Sequence, residues 1–265
     1  MNFKRANTKV SLLEDYYNHF DEDGRLDTRH GQVEFITAVK YIEQELNDDK
    51  NKTILDIGAG TGKYSYSFDK KGYKVTAVEL VPHNIEVFKS KNSNVNIYQG
   101  NALNLDMLKD DSFDVTLLFG PMYHLLKNED KIKALEEAKR VTKPNGKIFV
   151  SYYMNDYSII TYGFIKGTIK SAIEEGRIDE KFHVVSKEDD LYSMVRIEDI
   201  DSFNEAVGLK RISIISQNGA SDYIRTSINK LSKEEFDLYI QYHLSICERK
   251  DLLGASSHVL DIVSK

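Results

Sequence analysis

The feature that most constrains this chain is an alternation. Short β-branched apolar runs are separated by longer amphipathic stretches. Strands are expected at 52–57 (KTILDI), 74–80 (KVTAVEL), 95–98, 113–119 (FDVTLLF) and 147–153 (KIFVSYY). Helices are expected between them, for example at 84–91 and 129–141. In the second of these, Ile132, Leu135, Ala138 and Val141 recur every third position and mark one buried face. Strands separated by helices imply a parallel sheet covered on both faces, with right-handed crossovers.

Two regions fall outside that rhythm. Ahead of the first strand, 11–20 and 32–46 read as helices joined by a charged turn at 21–31. After the fifth strand, 155–200 has helical pieces and no strong strand, and its stretch 174–205 carries a net charge of −7. The chain then ends in a strand at 209–216, a helix at 233–249 and a strand at 258–263. The expected architecture is one doubly wound α/β unit with a seven-stranded, mostly parallel, Rossmann-like sheet. It divides into an N-terminal helical cap (1–50), a cofactor-binding core (51–154), a substrate-lid insertion (155–205) and a C-terminal completion of the sheet (206–265).

Composition removes several functions. At 265 residues, 41% hydrophobic and 29% charged, the chain suits a folded globular protein, not a disordered one. Its net charge of −6 argues against nucleic acid, which is gripped through Lys and Arg. Cys247 is the single cysteine, so no intrachain disulfide or multi-cysteine metal site is expected. It falls near Leu244 on an apolar helix stripe and is expected in the core. The seven histidines show no metal-binding spacing. Neither a membrane span nor a signal peptide is expected, which points to the cytoplasm.

The strongest local signal is Ile54-Leu55-Asp56-Ile57-Gly58-Ala59-Gly60-Thr61-Gly62, a strand running into a glycine loop and then a helix. Glycines let the backbone turn sharply and approach a ligand at the sheet's C-terminal edge. Dinucleotide dehydrogenases space these glycines G-x-G-x-x-G. Here they stand at 58, 60 and 62, with Lys63 where the dehydrogenase spacing puts its third glycine, and Asp56 two positions ahead of the first. The second strand ends in Glu79, a carboxylate able to accept two ribose hydroxyls.

This arrangement resembles class I S-adenosylmethionine-dependent methyltransferases, whose first motif reads (D/E)-x-G-x-G-x-G. The resemblance extends through Glu79, through Gln99-Gly100-Asn101-Ala102, through 113–125 and through 138–147. It also extends to a bacterial small-molecule-type branch that shares the Gly120-Pro121-Met122-Tyr123-His124-Leu125 run and the ending at 256–262. The resemblance implies strand order 3-2-1-4-5-7-6 with strand seven antiparallel. It implies S-adenosylmethionine as cofactor and S-adenosylhomocysteine as product, held by Asp56, Gly58, Ala59, Gly60, Gly62, Glu79, Leu80, Asn101, Ala102, Phe119 and Gly120. Asn101 departs from the usual acid, although its amide oxygen can accept the same adenine bond. One of Tyr16 and Tyr17, here Tyr17, would cover the cofactor's methionine end.

Tyr123 and His124, just past strand four, are the candidates for the chemistry. His124 could take a proton from the acceptor, and Tyr123 would orient it. Arg25, Arg29 and His30 could meet the cofactor carboxylate. Tyr153, Tyr157, Tyr162, Phe164 and His183 could line an acceptor pocket. Gly120-Pro121-Met122-Tyr123 replaces the N/D-P-P-Y/F/W of amino-group methylation on adenine or glutamine. The expected partner is a small-molecule acceptor with an O, N or S nucleophile, with no nucleic acid and no membrane, in a monomer or homodimer. Two other functions are alternatives: a non-catalytic S-adenosylmethionine-binding regulator and, against the glycine spacing, a nicotinamide-dependent oxidoreductase.

Overall fold

The computed structural model describes residues 12–20 and 22–265. Seven strands form one sheet: β1 (Thr53–Ile57), β2 (Lys74–Glu79), β3 (Asn96–Gln99), β4 (Phe113–Leu118), β5 (Thr142–Tyr153), β6 (Lys210–Ser216) and β7 (His258–Ser264). Their order is β3-β2-β1-β4-β5-β7-β6. The pairs from β3 through β5 are parallel, whereas β7 runs antiparallel to both neighbours. The expected doubly wound seven-stranded sheet is therefore present, in the order that the resemblance implied.

The central strands β1 and β4 are buried along almost their whole length, which explains why they read as unbroken apolar runs. β3, at the edge, is the most exposed and the least apolar. Apolar side chains from both sheet faces pack under helices, with Leu135, Ala138 and Val141 fully buried from the helix Asn128–Val141.

Several boundaries differ from expectation. β5 begins at Thr142, ahead of Pro144-Asn145-Gly146, because the strand re-pairs with β4 around an irregularity between Phe113 and Val115. The segment expected as a plain charged turn contains the short helix Glu22–Arg25. The helix after it runs Arg29–Leu46, opened by Thr28, whose hydroxyl accepts from the Gly31 N–H. Residues 12–19 are helical as expected, while Ser11 and Asp21 lie outside the described residues. The late helix is Lys233–Ile246, started by a Ser232–Glu235 capping box. Cys247 caps that helix, buried, with its sulfur 3.2 Å from the Tyr41 hydroxyl.

The region after β5 holds short helical pieces, including one π-helical stretch, Ile159–Ile165, and no strand beyond isolated bridges. Its end packs into the core. The helix Ile197–Val207 buries Ile200 and Phe203 in the core cluster that also holds Ala134, Leu135 and Ala138. No helix of the described residues is long and apolar enough to cross a membrane.

Candidate active site

The parallel strands end along one edge, and the strand order reverses between β2 and β4 on either side of β1, where such sheets bind ligands. Because β7 is antiparallel, its first residue, His258, stands at the same edge as the last residues of the other strands.

The loop after β1 uses all three glycines in the left-handed region, with φ of 73°, 56° and 84° at Gly58, Gly60 and Gly62. A side chain is excluded at two of them by packing as well. A Cβ on Gly58 would come within 2.5 Å of the Pro121 ring, and one on Gly62 within 2.4 Å of the Phe88 ring. Gly120 in turn would set its Cβ 3.0 Å from the Gly58 carbonyl oxygen, so the loops after β1 and β4 touch backbone to backbone. The Gly58 and Ala59 N–H groups both donate to the Val78 carbonyl, at 2.8 and 3.2 Å, which straps the loop to β2.

Glu79 organises the floor of this half. One carboxylate oxygen accepts the Gly60 N–H at 2.8 Å, and the other accepts the Val81 N–H at 2.8 Å and the Asn84 amide at 3.3 Å. Burial raises its pKa, and these donors only partly offset that. A carboxylate can accept about four hydrogen bonds, so with these three made about one position remains for a ligand hydroxyl.

Asp56 has a different place from the one expected. Its carboxylate is buried and accepts the Ser65 hydroxyl at 2.6 Å, tying β1 to the helix Lys63–Lys70. Burial, with the nearby Glu79 charge, pushes its pKa up to about 6 against that hydrogen bond. Asp56 thus shapes the loop from beneath. Asn101 similarly spends part of its amide oxygen on its own turn, accepting the Leu103 N–H at 3.0 Å. The Leu80 carbonyl accepts from the Gln99 side chain at 3.3 Å, and Ala102 and Phe119 are buried beside the edge.

The N-terminal cap covers the loop. Thr61 donates to Asp23 at 2.9 Å, Lys91 pairs with the same carboxylate, and Lys63 pairs with Asp27. Tyr64, one residue further, packs edge-on against Phe119 and at a tilt against Phe35, with ring centroids 4.8 and 5.0 Å away. Its buried hydroxyl has no hydrogen-bond partner among the described residues. This orphan beside the glycine loop is a place where a polar ligand group fits.

The other half of the edge is made of rings. His124 is buried at the end of the short helix Pro121–His124. Its Nδ1 lies 3.0 Å from the Leu191 carbonyl, which can only accept, so Nδ1 carries the proton. Its Nε2 then accepts the Tyr17 hydroxyl at 2.8 Å. Tyr17 therefore meets His124. Next to it, the Tyr192 hydroxyl donates to that of Tyr16 at 3.1 Å. The N-terminal helix and the insertion close over His124 from two sides.

Tyr123 packs against both His124 and His258, at 4.9 and 5.8 Å between centroids, and Tyr153 stacks on His258 at 5.0 Å. Tyr157 joins Tyr153 at 5.9 Å, and the Tyr162 hydroxyl lies 3.4 Å from that of Tyr153. Phe164 is exposed and His183 faces Asp179, so neither joins the ring cluster. Arg25 forks onto Glu34 at 3.1 and 3.2 Å, Arg29 lies over Phe236, and His30 bonds Thr28 and Asn229.

Glu34 and His258 carried no role in the sequence reading. Glu34 sits at an ordinary core-facing position of its helix, and only its Arg25 partner, nine residues earlier, hinted at a buried pair. Burial alone would raise its carboxyl. The Arg25 guanidinium, helped by His258 and Asn218, holds it down at about 2.

Comparison with known proteins agrees with this geometry. Residues 55–150 match the methyltransferase domain family. A methyltransferase-like protein of Schizosaccharomyces pombe is 32% identical over 125 residues, 47% of each chain. A demethylmenaquinone methyltransferase of Renibacterium salmoninarum is 36% identical over 112 residues, 42% of this chain and 43% of that one. The matched stretch therefore spans under half the length of these relatives. A solved methyltransferase from Leishmania major superposes with a TM-score of 0.60 at 14% identity, covering 97% of this chain and 83% of that one, which supports the fold. Residues 55–150 thus match a methyltransferase domain, and in its sheet order and its glycine loop the chain resembles the class I S-adenosylmethionine-dependent methyltransferases.

Proposed function

We propose that this protein transfers the methyl group of S-adenosylmethionine to a small-molecule acceptor with an O, N or S nucleophile. The observation that carries this reading is the Gly58–Gly62 loop, with three left-handed glycines and Glu79 bonded beneath it at the sheet's switch point. Glu79 would hold the ribose hydroxyls, Asn101 and Ala102 the adenine, and the loop backbone with Tyr64 the amino-acid end. Phe119 and Gly120 would lie nearest the transferred group. The bound cofactor supplies a methyl already activated by its sulfonium, so the protein's main task is alignment.

A small acceptor is supported by the net charge of −6 and by the tyrosine- and histidine-lined edge. The relatives' action on a quinone precursor is compatible with a flat ring in that space. A monomer or homodimer would suffice, since every residue invoked comes from one chain.

The test is formation of S-adenosylhomocysteine when the protein is mixed with S-adenosylmethionine and a panel of phenols, thiols and alkylamines. Acceptor-dependent product is expected for at least one class. Tight cofactor binding with no acceptor-dependent product across the panel would favour the non-catalytic regulator.

A further inference from the structure

Two histidines face the edge, and their hydrogen bonds leave them in different states. The Nε2 of His124 accepts from Tyr17. At His258, Nδ1 lies 3.2 Å from the Asn218 amide oxygen. The Asn218 amide nitrogen points the other way, to Glu34 at 3.4 Å, which fixes the amide's orientation. Glu34 is itself clamped by Arg25. The chain Arg25, Glu34, Asn218, His258 therefore sets the tautomer: Nδ1 donates and Nε2 bears the lone pair. Among the described residues Nε2 makes no hydrogen bond. The side chain is 17% exposed, so the ring reaches the open edge between Tyr123 and Tyr153 and is not sealed in the core.

Building on the methyl-transfer reading, we propose that His258 is the general base that deprotonates the acceptor, with Asn218 and Glu34 as its positioning residues. Its Nε2 takes the proton of an acceptor O–H or N–H. The electron pair released on that atom forms the new bond to the methyl carbon, the carbon–sulfur bond breaks, and its pair stays on sulfur. The imidazolium later returns its proton to water. This selects acceptors that must lose a proton on methylation, a phenolic or enolic hydroxyl or an ammonium, over thioethers and tertiary amines.

The surroundings suit such a role. Burial lowers the imidazole's pKa and Arg25 lowers it further, whereas the Glu34 and Asp222 carboxylates raise it, with a net lowering. The phenols of Tyr123 and Tyr153 complete the wall. The ring is then neutral near pH 7, and the ionised Glu34 lies 3.8 Å from Nδ1 to balance a transient imidazolium. A histidine that serves only packing would share the Asn218 bond but would gain nothing from a lone pair left at the open edge.

The experiment has two readouts on the full chain. Histidine-selective nitrogen NMR of the protein with S-adenosylhomocysteine reads the tautomer. The expected pattern for His258 is a protonated Nδ1 and a bare Nε2. A protonated Nε2 in neutral His258 overturns the proposal, whether or not any acceptor is methylated. The second readout is turnover on the acceptor panel. His258→Asn keeps a donor toward Asn218, so S-adenosylhomocysteine affinity should stay within about twofold while turnover falls by about 100-fold or more. The acidic limb of the kcat/KM profile should vanish with it. Retention of more than a tenth of wild-type turnover overturns the role. Failure of the wild-type chain to bind S-adenosylhomocysteine would instead sink the methyl-transfer reading on which this rests.

Discussion

The two halves of the edge are built on opposite plans. The glycine-loop half, from Asp56 to Ala102 with Gly120 set against it, takes its shape from backbone: glycine dihedrals, N–H groups on Glu79, and two loops in direct contact. The ring-lined half is assembled from Tyr17, Glu34, Tyr123, Tyr153, Tyr192, Asn218 and His258, brought together only by the sheet order and the two peripheral segments. A backbone-built site tolerates many side-chain changes but no Cβ at its tight points. A side-chain-built site fails when one buried charge is removed, because its partner is left unpaired.

The largest effect expected is from Gly62→Val. The new side chain would meet Phe88 at a φ that β-branched residues avoid, costing about 3 kcal/mol or more. Urea denaturation should show the loss, and S-adenosylhomocysteine binding should disappear. A near-wild-type midpoint would break the backbone side of the comparison. Glu34→Ala comes next: leaving Arg25 without its buried partner should cost about 3 kcal/mol. Its cofactor affinity should change only a few-fold, which sharpens the separation of the halves.

A pH series sets one carboxylate from each half against the other. The folded Glu34 carboxyl, at about 2, lies below its ordinary 4.5. Its stabilisation is present above pH 4.5 and is lost as pH falls toward 2, an amount of about 3 kcal/mol. The folded Asp56 carboxyl, at about 6, lies above its ordinary 3.8. It favours folding at low pH, and that contribution is lost as pH rises through 6. Glu34→Gln should therefore destabilise throughout pH 5 to 8. Asp56→Asn should stabilise increasingly between pH 4 and 6, by about 1–3 kcal/mol. Urea midpoints across that range check both, and equal pH slopes for the two variants would contradict the assignment.

Smaller effects follow. Tyr17→Phe removes one hydrogen bond to His124, about 1 kcal/mol, and should speed hydrogen exchange in 12–20 more than anywhere in the sheet. Asn101→Asp keeps an acceptor for the Leu103 N–H and should shift S-adenosylhomocysteine affinity by under about 1 kcal/mol.

The same contrast explains what could be read in advance. The strands and the glycine loop were legible because each depends on residues adjacent in sequence: alternation, a left-handed turn, an acid at a strand end; the strand order was implied only by the family resemblance. The misplaced details follow from tertiary context. Asp56 looked like a ligand-facing acid by its distance from Gly58, but β1 alternation turns its carboxylate to Ser65 beneath the loop. Arg25 looked like an anion binder on an exposed turn until the helix behind it supplied Glu34. His258 was visible only as part of the ending at 256–262, with no role attached to it. Its place at the edge follows from β7 running antiparallel, and its tautomer from Asn218, 40 residues away.

The most direct test of the central claim is calorimetric titration of the full chain with S-adenosylhomocysteine, with NADH and NADPH titrated in parallel. Micromolar, one-to-one binding of S-adenosylhomocysteine is expected, abolished in Gly62→Val, with no heat from either nicotinamide. Binding of a nicotinamide in place of S-adenosylhomocysteine would contradict that claim.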